Sequence, residues 1–209
     1  MASIVMPSLD PRYCPLISFP KEERAFLSKY LEGATNIVLE ERYAPDEAPK
    51  RVFLESGQKC VADFVPVHAR LGMCREARAL VEEFEPGVHQ WLPVGLPVEI
   101  ARPRSKKPIH RLDGRVLDAP YHVLVPQVWL DAVWVERSEV SVSPTRLDQP
   151  MVSWFGSDNI VLRREAVAGR HVWRGGFHLP GYTLFSDALV RAIEARKLRG
   201  LRHFHLEEA

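Results

Sequence analysis

Apolar positions along this chain recur with two different rhythms. From Met73 to Phe84, the residues Ala77, Leu80, Val81 and Phe84 return every three or four positions, the period of a helix that buries one stripe. This spacing predicts a helix over Met73–Phe84, ended by Pro86-Gly87. The same period returns over Ser186–Arg196, where Ser186 suits the cap and Leu189, Val190 and Ile193 form the inward side. A third helix is expected over Pro20–Tyr30. Ser18 suits its cap, Pro20 its first turn, Glu22 and Glu23 lie near its positive end, and Gly33 stops it.

Shorter apolar runs bounded by Gly, Pro or charged residues read as strands. They are Asn36–Glu40, Val52–Glu55, Val61–Val67, Gln90–Val94, Tyr121–Pro126, Ser157–Leu162, His171–Phe177 and Leu201–Leu206. Val128–Val135 is strongly apolar and ends at Glu136-Arg137-Ser138. Helices and strands do not alternate strictly. The expected class is therefore α+β, with mostly antiparallel sheet and at least three packing helices. Trp129, Val133, Leu189, Ile193, Leu201 and Phe204 lie on the apolar faces and are expected to be mainly buried. The Pro-rich, basic segment Ala101–Pro108 is the best linker. It divides an N-terminal lobe, 1–100, from a C-terminal one, 101–209, unless the two form one continuous domain. Leu16–Glu41 and Leu184–Glu208 share a Ser cap, a helix, a Gly stop and a strand ending in paired Glu. Equivalent units on a common sheet and chance likeness both account for this.

Composition narrows the picture only a little. A chain of 209 residues with 46% apolar and 26% charged residues has ordinary globular content and enough length to bury a core. Its formal net charge of +1 gives no global field for nucleic acid or an anionic membrane. The 17 prolines favour short elements. Cys14, Cys60 and Cys74 form no CxxC pair, which suggests reduced thiols in a cytoplasmic protein. Met1–Leu9 lacks a basic leader and is broken by Pro7, and no run approaches the roughly 18 apolar residues of a membrane helix.

Candidate chemistry is sparse. His203 and His205 alternate on the last strand and face one side, with His171 or His178 available as a third ligand, but no Cys or carboxylate completes the set. The basic run from Arg102 through Arg115 suits phosphates, yet it lacks interleaved aromatics and reads equally as a solvated linker. Cys60 and Cys74 lie in no reactive signature and are more simply small core residues. Asp131 and Glu136, with Asp113 and Asp118, read as caps and surface charges rather than an acid–base pair. Arg174-Gly175-Gly176 follows a strand without opening a helix, so it reads as a tight turn. No catalytic residue, metal or cofactor is expected.

Several phrases together resemble a known family. Pro86-Gly87-Val88-His89-Gln90-Trp91-Leu92-Pro93-Val94 is similar to a helix, Pro-Gly, Gln-aromatic-x-Pro-Val junction. Tyr121-His122-Val123-Leu124, Leu130-Asp131-Ala132-Val133-Trp134 and Glu136-Arg137-Ser138-Glu139 follow in order. His171-Val172-Trp173-Arg174, Phe185-Ser186-Asp187 and Leu198-Arg199-Gly200-Leu201-Arg202-His203-Phe204 complete the set. The order resembles the bacterial immunity family number eleven of polymorphic toxin systems, a myxobacterial-type immunity domain, over roughly Val81–Glu207. Trp134 departs from the family's usual Asp, and the paired CxxCG motifs of one branch are missing, so their metal site is not implied. Gly87 and Gly200 stand where helices must stop in a left-handed conformation.

The resemblance implies a cytoplasmic protein that binds a cognate toxin domain and neutralises it by covering its active site. No nucleic-acid or membrane partner is expected, given the near-neutral charge and the lack of a membrane-length apolar run. Two surfaces are candidates for that contact. One is acidic, Glu40, Glu41, Asp46 and Glu47, with a second patch at Glu82, Glu83 and Glu85; it would steer toward the basic cleft of a nucleic-acid-cutting toxin. The other is Trp154-Phe155, aromatic residues in a polar loop; the acidic residues read more simply as a solvated helix end and loop, and the aromatics equally as a lid folded onto the core. The rival readings are a scaffold domain that binds some other protein and a small enzyme with an unrecognised site.

Overall fold

The computed structural model describes residues 1–8, 10, 17–18, 43–44, 52–54, 60–67, 70–94, 97–99, 110–117, 119–142, 150–152, 160–176, 178–179 and 181–209. Strands and helices are numbered here in chain order. The largest sheet has six strands in the order β11-β15-β16-β1-β17-β14. These are β1 (Ala2–Pro7), β11 (Trp129–Leu130), β14 (Val161–Leu162), β15 (Val172–Gly175), β16 (Thr183–Ser186) and β17 (Leu201–Glu208). β1 lies between β16 and β17 and runs antiparallel to both, with Ile4 opposite Leu184 on one side and Phe204 on the other. Pro7 ends β1, where a missing N–H costs least, and the next amide, Ser8, donates to the Gly200 carbonyl at 2.7 Å.

This sheet is buried on both faces, and strand alternation distributes its side chains. Val5, Val172 and Phe185 point into one core, with Leu189, Val190 and Ile193 from a helix. Their chain neighbours Ile4, Trp173 and Leu184 point into a second core, with Ile160, Leu162 and Val167. The first core is shared with a four-stranded antiparallel sheet of order β5-β6-β10-β7. Its strands are β5 (Phe64–Val67), β6 (Arg70–Met73), β7 (Gln90–Val94) and β10 (Tyr121–Val125). That core takes side chains from both sides of residues 101–108.

Three small sheets complete the strand inventory of the described residues. They pair β12 (Val140–Val142) with β13 (Pro150–Val152), and β4 (Cys60–Val61) with β9 (His110–Arg111). The third joins β2 (Ile17–Ser18), β3 (Val52–Leu54) and β8 (Pro97–Glu99). Eight of the twelve pairings are antiparallel, so the mixed α and β content comes with mostly antiparallel sheet.

Helix α1 (Arg75–Phe84) buries Ala77, Leu80 and Val81. Helix α3 (Asp187–Ala195) buries Leu189, Val190 and Ile193, and its cap Ser186 accepts the Leu189 amide. Between them in sequence, α2 (Arg164–Val167) is a single turn. The helix expected at Pro20–Tyr30, the strand at Asn36–Glu40 and the linker at 101–108 lie outside the described residues. None of the described helices is long and apolar enough to cross a membrane.

Several boundaries differ from the sequence reading. Met73 closes β6, and Cys74, not Met73, precedes α1. Val61–Val67 is two strands, interrupted at Ala62-Asp63 where the chain leaves β9 to join the four-stranded sheet. Val128–Val135 is extended only briefly. Val133 makes an isolated bridge to Leu162, and a 3-10 turn follows at Val135–Arg137. Of the expected core, Val133, Leu189 and Ile193 are buried, whereas Trp129, Leu201 and Phe204 are half-buried. Phe204 and Leu201 are less covered because β14 pairs β17 only at Glu207 and Glu208, leaving the earlier part of β17 as the rim of the sheet.

Candidate functional site

Where α3 ends, the chain makes a tight reversal before β17. Lys197 donates its amide to the Glu194 carbonyl at 2.8 Å and Leu198 to that of Ile193 at 3.1 Å, the paired bonds of a Schellman ending. The left-handed position of that motif is Lys197, with φ 55°. The sequence alone points to Gly200 as the stop. Gly200 also has positive φ, but its nearest constraint is space: an added Cβ would lie 2.5 Å from Ala62 Cβ and also meet the Phe64 carbonyl. A Lys in the left-handed region costs roughly 1 kcal/mol. Lys197→Gly should therefore raise the unfolding free energy by about 0.5–1 kcal/mol, read as a higher urea midpoint at unchanged slope.

This reversal forms one wall of a cleft of ≈ 620 Å³. The opposite wall is the turn from Arg111 to Arg115, closed by the Arg111 amide on the Arg115 carbonyl at 2.8 Å. Asp63 and Glu76 line it between. Arg111 is the hub. Its Nη1 donates to Glu76 Oε1 and its Nη2 to Asp63 Oδ1, both at 2.7 Å. Its side chain is only 11% exposed. The other Asp63 oxygen accepts the Arg199 amide at 2.8 Å, so one carboxylate ties the Arg111 turn to the end of α3. Glu76 is subject to burial, which raises a carboxyl pKa, but the Arg111 hydrogen bond outweighs it and brings Glu76 down to about 2. Burial opposes the charge on Arg111, while its bonds to Glu76 and Asp63 hold it firmly protonated.

The rim is different in character. Arg115 pairs with Asp113 at 2.6 Å, and Arg196 pairs with Glu83 at 2.5 Å. All four side chains are at least 43% exposed, so each pair is worth about 0–1 kcal/mol and exchanges readily. Among the described residues, no carboxylate pairs with the side chains of Lys197 or Arg199. Leu112 and Leu198 also line the cleft.

The other candidate groups serve structural ends. Cys74 is buried, donates to Asp63 at 3.5 Å and is pushed up to about 12 chiefly by burial, which leaves it protonated and unreactive at neutral pH. Cys60 is exposed. The rings of His203 and His205 meet edge to face, 4.9 Å apart. His203 contacts Glu194 at 3.2 Å and His205 contacts Ser3 at 3.1 Å. No group of three or more potential metal ligands is found among the described residues.

A Ser–His contact exists, since His171 Nδ1 lies 2.8 Å from Ser186 Oγ. The hydroxyl is already used as the α3 cap, and Glu85 does not orient the ring. Glu85 Oε1 instead accepts the His171 amide at 2.7 Å, while Oε2 faces His89 at 2.5 Å. Burial raises Glu85, but these bonds prevail and its pKa is lowered. The network joins the end of α1 to β15 and α3.

Asp131 binds His178 at 2.9 Å. Gly176 is required there, since an added Cβ would lie 2.6 Å from Asp131 Cβ. Glu136 faces Arg163, and Asp113 faces Arg115, so these carboxylates take separate partners. The patch Glu82, Glu83 and Glu85 is not a free acidic surface: Glu82 holds Trp91 and the Gly87 amide, Glu83 holds Arg196, and Glu85 is buried. Of the basic run, Arg111 and Arg115 enter the cleft. Glu40, Glu41, Asp46, Glu47, Trp154 and Phe155 lie outside the described residues. Asp63, Glu76, Arg196 and Lys197 are not among the residues that the sequence marks as functional, and Arg199 enters there only within the phrase Leu198-Arg199-Gly200-Leu201. The signal available for the last three was the string Arg196-Lys197-Leu198-Arg199-Gly200 directly after a helix.

No curated protein shows a significant match to the chain. A family model does: the immunity protein family (Imm11) matches residues 17–207. That span takes in every phrase on which the resemblance rested, from the Pro86-Gly87 junction to the last strand. It also contains both walls of the cleft and the network around Glu85, and on this match the chain belongs to the Imm11 immunity protein family.

Proposed function

We propose that this chain is a cytoplasmic immunity protein that binds one cognate toxin domain and neutralises it by covering the toxin's active site, without catalysis of its own. The observation that carries the reading is the family match over residues 17–207. The side-chain chemistry is compatible with it. His89, His171, His178, His203 and His205, the thiol of Cys74 and the capping hydroxyl of Ser186 are engaged in contacts that hold strands, helix ends and turns together. In this reading the acidic residues Glu40, Glu41, Asp46 and Glu47 and the aromatic pair Trp154-Phe155 contribute to the contact with toxin.

The test is co-expression with the neighbouring gene, followed by pull-down, to find a cognate toxin domain. Protection should be stoichiometric, and the two proteins should co-elute as a complex. Protection should also survive His203→Ala combined with His205→Ala, because those rings are assigned only contacts with Glu194 and Ser3. A double variant that stays folded and binds toxin yet fails to protect would argue for a metal-dependent or catalytic mechanism. Turnover of toxin or of its product by the wild-type chain would do the same.

A further inference from the structure

We propose that the cleft between the end of α3 and the Arg111–Arg115 turn is a docking site for an acidic loop of the bound toxin domain. The inference rests on the immunity reading for the identity of the partner, and on the cleft's own chemistry for the kind of group it takes.

Five cationic side chains line the cleft against three carboxylates, Asp63, Glu76 and Asp113, and Glu83 at the rim pairs with Arg196. The carboxylates are already committed. Asp63 and Glu76 neutralise Arg111, and Asp113 holds Arg115. The unspent charge therefore sits on one lip, at Lys197 and Arg199. The exposed pairs Arg115–Asp113 and Arg196–Glu83 can trade partners at little cost. An incoming carboxylate meets two cations without internal partners among the described residues and two more that are weakly held.

The lip is also fixed in place. The Asp63 carboxylate takes the Arg199 amide and the Arg111 guanidinium together. Phe64 donates its amide to the Arg199 carbonyl at 3.0 Å. Backbone and hub are thus ordered before a partner arrives, which lowers the cost of binding.

The same features favour a protein loop over a phosphate ligand. The described lining holds no aromatic residue on which a base would stack. Glu76 and Asp63 inside the cleft would oppose a dianion, whereas a single carboxylate can stay at the rim. Leu112 and Leu198 supply apolar contact for the aliphatic part of a loop.

The experiment uses the full chain and a blocked hexapeptide that carries one glutamate among leucine, serine and glycine, titrated at low salt and followed by backbone amide NMR. Shifts are expected at Arg115, Lys197, Leu198 and Arg199. Lys197→Asn with Arg199→Gln should weaken binding at least tenfold. Asn tolerates the left-handed backbone, and the Arg199 contacts used by the fold are main-chain, so this variant should stay folded. Arg164→Ala with Arg170→Ala removes equal charge beyond the far end of β17 and should change affinity by less than twofold. Equal weakening by both pairs, or no shifts at the cleft, overturns the proposal. Displacement of the peptide by inorganic phosphate or a thymidine oligonucleotide at lower concentration also overturns it, in favour of a phosphate site.

In cells, the Lys197→Asn, Arg199→Gln variant should lose at least tenfold in toxin affinity and protect poorly. Full protection by that variant sinks the docking role while leaving the immunity reading intact. If the wild-type chain neither protects nor binds toxin, the immunity reading fails and the toxin falls as occupant, while the peptide titration separately decides the chemistry of the cleft.

Discussion

Trp173→Ala should lower the unfolding free energy by about 3–5 kcal/mol, enough to leave little of a typical domain's stability. Trp173 is 1% exposed and lies on β15, within the second core formed with Ile4, Leu162 and Leu184. Truncating it removes a large buried surface and leaves a void that flanking strands, fixed by their own ladders, cannot close. Leu201→Ala provides the contrast. A fully buried Leu would cost about 2–5 kcal/mol, but Leu201 is half-buried on the rim of β17, so about 1–2 kcal/mol is expected. Urea unfolding followed by tryptophan fluorescence and circular dichroism measures both. Equal losses for the two variants would place the weight of the core on the β17 rim and contradict the two-faced sheet.

The parts of the fold that were legible are those whose signal is local. The helices α1 and α3 announced themselves because a 3.6-residue period, a Ser cap or a Pro-Gly stop lies within a dozen positions. β7, β10, β15 and β17 were legible for a similar reason, as apolar runs between turn residues. β1 was not. Its sequence, Ala-Ser-Ile-Val-Met-Pro, is short and carries a Ser and a terminal Pro, and what makes it central is pairing with β16 and β17 at the other end of the chain.

The cleft was hidden for the same physical reason. Asp63, Glu76, Arg111 and Arg199 are far apart in sequence, and only the folded chain brings them into hydrogen-bonding range. Lys197 was hidden for a different one. A Gly three residues later is the more usual marker of a helix stop, and it drew the assignment although its real constraint is the approach of Ala62 and Phe64.

Arg111→Met should cost about 2–3 kcal/mol, less than for a fully buried pair, because Asp63 loses its cation while Glu76, 34% exposed, keeps solvent and Arg115 at 3.6 Å. The loss should be partly recovered by adding Asp63→Asn and Glu76→Gln, since a neutral set no longer strands buried charge. That recovery separates the ionic contribution from simple loss of packing by the Arg stem. The pH dependence gives a second readout with a definite sign. Glu76 has its pKa lowered from 4.5 to about 2, against the effect of burial and through its bond to Arg111. Above pH 4.5 the group is ionised in both states and its contribution is fully present. As pH falls from 4.5 toward 2, the unfolded chain takes up the proton first, so stability is lost across that window. Without the guanidinium the folded-state pKa should rise, and the variant should lose less stability over the same interval than wild type does. Urea midpoints measured at several pH values between 2 and 6 test this. Parallel curves for wild type and Arg111→Met would mean that Arg111 does not hold the Glu76 carboxylate, and the hub assigned to the cleft would be wrong.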